Sequence, residues 1–346
     1  MKALAQPRSG ATVEALVGAV LCHDVRDAEG RVVAAKGARL DAAAAAAVLA
    51  APWEELHLLV LEPGDLHEEE AGARLARAVA GPGVRVKGYA GGQWTLTAEH
   101  RGLLVVRTGP LATVNAHDGI SVFTLFHGQP VEPGEVVARA KVTPLAIGEA
   151  TVRAVEESAA RAGGLVAVAP FRPATVGAVA RESLDAAQRS RFERALAVKV
   201  EWFGSRLLPV RYAGPSPRAV AEELGALRKE GADLLIVAGA SALDPLDPVF
   251  GGLDLVGARM ERHGAPGHPG SLLWLARWDG LAVLGMPTCG MFSQATTFDL
   301  VLPRLLAGEP VGNREIAELG HGGLLSRDMA YRFPRYRAGG PRGELE

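Results

Sequence analysis

From residue 174 onward, short runs of Val, Leu, Ile and Ala alternate with longer stretches of helical spacing. The runs Val176–Ala180, Arg206–Tyr212, Leu234–Val237 and Leu281–Leu284 predict strands. The stretches Asp185–Phe203, Pro217–Glu230 and Ser293–Leu306 predict helices, the first two stopped by Gly204 and Gly231. Apolar strands alternating with helices of this length predict an α/β fold, a parallel or mixed sheet with helices on both faces. Ligands of such sheets sit beyond the carboxyl ends of the strands. That directs attention to three loops, 181–185, 238–247 and 286–292.

The pattern before residue 170 is different. Ala15–Leu21, Arg31–Ala35 and Leu56–Leu61 read as strands, and the alanine-rich run Asp41–Ala51 as a short helix with Asp41 as N-cap and Pro52 as stop. Glu68–Ala80 reads as an amphipathic helix whose Glu68-Glu69-Glu70 is a solvated first turn favoured by the helix dipole. Between 83 and 140, Gln93–Ala98, Gly102–Val106, Val131 and Val136–Ala140 read as strands separated by Gly and Pro, and a helix over Gly148–Ala162 ends at Gly163-Gly164. The expected organisation is a mixed α+β, β-rich N-terminal module over 1–170, an α/β domain over 171–312 and a tail over 313–346.

Composition narrows the function. Aromatics are 5% of 346 residues while hydrophobics are 48%, so small and branched aliphatics must build the cores. A formal net charge of −2 gives no electrostatic case for a nucleic-acid or membrane-surface partner. Cys22 and Cys289 are too few for a disulfide scaffold or a cysteine-rich zinc site. With no uniformly apolar stretch of about 20 residues, and no signal-peptide pattern at Met1–Arg8, a cytoplasmic protein is expected.

Chemistry concentrates in the loops. Ala238-Gly239-Ala240-Ser241-Ala242 follows a buried strand and leads into Asp244-Pro245-Leu246-Asp247. Small residues let backbone amides approach a phosphate or polar ring. Two carboxylates beside them suit a divalent cation or the N–H donors of a heterocycle; a plain surface turn has the same composition. Gly285-Met286-Pro287-Thr288-Cys289-Gly290 precedes a helix and so offers an anion its N-terminus, or is simply a tight turn. Cys289 reads as a packed small side chain rather than an activated thiol. Gly264–Ser271 reads as an irregular connection in which His268 lacks a metal-ligating partner. His23-Asp24 is a structural pair, since neighbours on an extended strand face opposite ways.

Together these segments resemble the molybdopterin-binding proteins of molybdenum-cofactor biosynthesis, in the bacterial two-part subtype related to molybdopterin molybdotransferase. The family's T-G-G-M-S-V-D-P-D-D loop is similar to Ala238–Asp247, its P-G segment to Pro269-Gly270, and its G-L-P-x-C-x-M turn to Gly285–Met291. Its T-x-F-D-L-V-L-P-R-L-L-A-G-E helix matches Thr296–Glu309 nearly residue for residue, and Gly320–Leu324 resembles G-H-G-G-L. Thr12–Ala15, Gly18, His23-Asp24, Lys36-Gly37, Asn115 and Val142–Leu145 extend the likeness to the first half, with Phe192 and Lys199 keeping register later.

The resemblance implies binding of molybdopterin or its adenylylated form, with Mg²⁺ and molybdate as further components, and a homo-oligomer. It implies Asp244, Asp247 and Glu182 as catalytic acids, the two aspartates holding the metal. Gly239, Ser241, Arg181, Pro269, Gly270, Pro287 and Thr288 would contact the pterin. Three departures bear on activity. The T-G-S-E loop is Val179-Ala180-Arg181-Glu182, the T-G-G-M-S loop loses its Thr and one Gly, and the cysteine-rich tail is replaced by Leu325–Arg332. These favour a non-catalytic carrier, sensor or assembly module as the rival reading; a nucleotide-ester hydrolase of the competence-damage-inducible type is the third. Arg181 is too long to bury unpaired, and so must reach solvent, grip an anion or pair with Asp244 or Asp247, of which pairing is favoured.

Overall fold

The computed structural model describes residues 1–181, 184–292, 295–337, 340 and 342. The fold is mixed α/β and divides into two compact units, one of 1–100, 105–127 and 133–168, the other of 101–104, 128–132 and 169–346.

In the first unit, Lys2–Pro7, Glu55–Val60 and Val20–Leu21 form a three-stranded antiparallel sheet. Leu16, Leu21, Val48, Leu56 and Leu58 form its core with the helix Ala42–Ala50. Asp41 caps that helix by accepting the Ala44 N–H at 2.8 Å. Ala15–Leu21 is not one strand. Thr12 Oγ1 accepts the Ala15 N–H at 3.2 Å, which nucleates a helical turn over Val13–Leu16 and leaves only Val20–Leu21 extended. A second antiparallel sheet runs in the order Ile120–Thr124, Val136–Val142, Gln93–Ala98, Val84–Ala90. The helices Glu68–Val79 and Glu149–Ala162 are tied by Arg74, whose guanidinium donates to Glu156 at 2.6 Å and Glu149 at 3.0 Å.

The second unit carries a seven-stranded mixed sheet. Its strands are β1 (Thr175–Ala180), β2 (Arg206–Leu207), β3 (Arg211–Tyr212), β4 (Leu234–Ala238), β5 (Arg259–His263), β6 (Trp274–Trp278) and β7 (Leu281–Met286). The order is β2-β1-β4-β7-β6-β5, with β3 also paired to β1. The β2, β3, β1, β4 and β7 pairings are parallel, those of β6 with β7 and β5 antiparallel. Both faces are covered. Leu234, Ile236 and Ala238 of β4 pack with α1 (Ala186–Glu201), whereas Leu235 and Val237 pack with α2 (Pro217–Lys229) and α3 (Pro248–Leu255). That period of two is the pleat expressed as packing.

Arg206–Tyr212 is two short strands rather than one, because Pro209 between them has no N–H to donate. The helix expected from Ser293 begins at Phe298 and forms α4 (Phe298–Leu306); Ser293 and Gln294 lie outside the described residues. The hairpin β5–β6 and helix α3 are additions to the predicted elements. So is the antiparallel return β6–β7, whose Asp279-Gly280 turn has positive φ at both residues.

Candidate functional site

Because β1, β4 and β7 are parallel neighbours, the loops that follow them emerge side by side. Ala180 is in register with Ala238, and Ala238 with Met286. The loops differ sharply in how far their polar groups are already committed.

Asp247 is the centre of the loop after β4. Its side chain is 1% exposed. Oδ1 accepts the Val249 N–H at 2.9 Å, which caps α3, and Oδ2 accepts the Ser241 N–H at 2.9 Å. Arg181, leaving β1, donates from Nη2 to the same Oδ2 at 2.7 Å. Of the three fates open to Arg181, pairing with an acid is the one realised. Its side chain remains 24% exposed, its backbone N–H extends the β1–β4 ladder to Ala238 O, and its Nε is buried without a hydrogen-bond acceptor.

Asp244 is exposed, and its Oδ1 accepts the Leu246 N–H at 2.9 Å. Gly239 has φ +79°, a backbone conformation that suits glycine as the chain leaves β4. Ser241 is exposed on the same turn. Glu182 lies outside the described residues.

A divalent cation needs several hard oxygen ligands at once. Asp247 has three protein donors on its two oxygens, and Asp244 serves the turn of its own loop. Among the described residues, no group of three or more His, Cys, Asp and Glu is arranged to hold a metal ion. The residues described therefore do not fit a Mg²⁺ site.

The loop after β7 folds into a 3-10 turn, Thr288–Gly290, with Pro287 buried and Thr288 exposed. Cys289 is exposed rather than packed, because this turn lifts it off the sheet. The first amides at the start of the following helix are bonded within the protein, which favours the tight-turn reading of this loop over the anion-receiving one. The Thr296 N–H goes to Asp299 Oδ2 at 2.8 Å, the Thr297 N–H to Pro269 O at 3.1 Å, and the Phe298 N–H to Thr296 Oγ1 at 3.2 Å. Thr296, Thr297, Phe298 and Asp299 are all fully buried.

The same contacts give Pro269 and Gly270 a structural task. Thr297 Oγ1 donates to Gly270 O at 2.6 Å, and a Cβ on Gly270 would sit 2.3 Å from that hydroxyl oxygen. The Gly320–Leu324 segment docks alongside, with the His268 N–H on Gly323 O at 2.8 Å and a Gly323 Cβ excluded by Pro266 O at 2.3 Å. His321 is exposed.

Behind this start of α4 lies a buried charge cluster to which the sequence reading assigned no role. Lys199 Nζ and Asp299 Oδ1 are 2.5 Å apart with both side chains fully buried, and the Tyr336 hydroxyl donates to the same oxygen at 2.5 Å. Asp299, whose other oxygen accepts the Thr296 N–H, thereby fixes the start of α4. The only available signal was an Asp inside an otherwise apolar helical stretch.

No protein-family model and no curated protein matches the chain. Among solved structures it is similar to the crystal structure of the molybdopterin biosynthesis MoeA protein from Pyrococcus horikosii. The identity is 14%, the match covers 70% of this chain and 79% of that one, and the TM-score is 0.31. The likeness is distant.

Proposed function

We propose that this chain binds molybdopterin or its adenylylated form at the loops following β1, β4 and β7. We further propose that it handles the cofactor in molybdenum-cofactor biosynthesis without metal-dependent transfer of its own. The observation that carries the second half is the state of Asp247, whose carboxylate is taken up by Arg181 and the Ser241 and Val249 amides. The first half is supported by the Thr296–Glu309 segment and by the ends of β1, β4 and β7 lying side by side. In this reading Asp244 accepts from N–H donors of the pterin ring, and the exposed Ser241 and Thr288 hydroxyls contact its polar substituents.

Titrating the purified protein with molybdopterin, read by pterin fluorescence, should give micromolar or tighter affinity, about 8 kcal/mol or more. Adding Mg²⁺ and molybdate should leave the bound pterin without molybdenum. Absence of binding at high ligand overturns the whole proposal, whereas molybdenum insertion by the wild-type protein overturns its non-catalytic half.

A further inference from the structure

At the opposite edge of the same sheet, where β1, β4 and β7 begin, lies a cavity of about 580 Å³. Four charged side chains line it: Arg172, Asp233, Arg277 and Glu309. Three of them are engaged. Arg304 holds Glu309 through two contacts, at 2.6 and 3.2 Å. Arg277 donates to Glu261 at 3.0 Å and to Val311 O at 2.7 Å. Asp233 accepts the Thr175 N–H at 2.8 Å but has no cationic partner among the described residues.

Arg172 is the exception: its guanidinium has no hydrogen-bond or ion-pair partner among the described residues. The Arg172 N–H is bonded to Leu306 O at 2.8 Å, and the head group lies against Gly308. A Cβ on Gly308 would stand 2.5 Å from Cζ, 2.6 Å from Nη1 and 2.9 Å from Nε, so the planar face of the guanidinium rests on the glycine. Gly308, at φ +76°, is the residue that permits this approach. Arg172 lines the cavity with no partner of its own among the described residues, and its guanidinium fork matches a carboxylate.

The geometry points to a second ligand site here, for a small organic carboxylate whose other end carries N–H donors, the chemistry of a free amino acid. Arg172 supplies one uncompensated positive charge, which suits one negative charge. A phosphate ester, at roughly −1.5 to −2 near neutral pH, would face Asp233 and Glu309 as well. The same Asp233 carboxylate suits an ammonium group, and the cavity has room for an organic body beyond a single ion.

The test is calorimetry on the full chain with each of the common free amino acids, their carboxamides and inorganic phosphate. At least one amino acid should bind, its carboxamide should bind at least tenfold more weakly, and phosphate should not compete. Arg172→Gln, at an exposed position, should abolish binding. Gly308→Ala, which displaces the guanidinium, should weaken it at least tenfold. Heat capacity scans of Arg172→Gln and Gly308→Ala confirm that each is folded. No binding by any amino acid, or an Arg172→Gln affinity within twofold of wild type, overturns the inference.

Discussion

Arg181 and Asp247 form a closed unit at the residue scale. The aspartate caps a helix, closes its own loop and neutralises the arginine, so its charge serves the fold before any ligand arrives. Arg181→Gly removes one of three donors and leaves a nearly buried carboxylate short of a partner. A stability loss of about 1–3 kcal/mol is expected, kept to the low end because the arginine is partly solvated. Loss of the competing cation should raise the Mg²⁺ affinity of this carboxylate over wild type, read by calorimetry, although Oδ2 keeps the Ser241 N–H. Pterin affinity should change by less than about threefold. A tenfold loss, roughly 1.4 kcal/mol, would instead make Arg181 a ligand contact and remove the reason for calling the loop non-catalytic.

At the scale of elements, the most demanding contact is between β6 and β7. Trp274 and Gly285 are cross-strand partners, and the indole lies over the glycine so closely that a Cβ would fall 2.1 Å from Trp274 Cε2. Gly285→Ala should therefore cost about 1–3 kcal/mol or more through forced repacking, read as a lower urea midpoint. A change under about 0.5 kcal/mol would mean the ring can step aside.

The parallel half of this sheet was legible because its strands are apolar on both faces and its helices carry clear caps and stops. The antiparallel half was not. β5 reads Arg259-Met260-Glu261-Arg262-His263, a polar run that only an edge strand tolerates, and apolar spacing therefore passes over it. Yet Asp279-Gly280 between Trp278 and Leu281 is a two-residue hairpin signal that could have placed β6 and the return. Loop positions were readable from the strand ends. Which polar atoms were already spent was not, since Arg181 and Asp247 meet across 66 residues of sequence. That Pro269 and Gly270 contact the start of α4 was not legible either, because those contacts too are remote in sequence.

For the molecule as a whole, the buried cluster of Lys199, Asp299 and Tyr336 ties folding to alkaline pH. Burial, and then the neighbouring Asp299 carboxylate, push the Tyr336 phenol well above its usual range near 10. Tyr212, desolvated and hydrogen-bonded to Glu193, is pushed up to about 12. A raised phenol pKa means that the native state keeps a proton the unfolded chain gives up. The stabilisation is thus complete below about pH 10 and is lost as pH rises toward the folded value. Each such group sets a limiting slope of about 1.4 kcal/mol per pH unit. Urea unfolding at pH 8, 9, 10 and 11 should show nearly constant stability to pH 9 and a decline beyond pH 10. Tyr336→Phe should cost about 1–3 kcal/mol at pH 8 by withdrawing a donor from Asp299, yet lose less stability between pH 10 and 11 than wild type. Tyr212→Phe should remove a further part of the slope at a smaller cost at pH 8, because Tyr212 is only half-buried. Parallel curves for wild type and Tyr336→Phe would show that the phenol titrates alike in both states, and that the alkaline limit of this protein is set elsewhere.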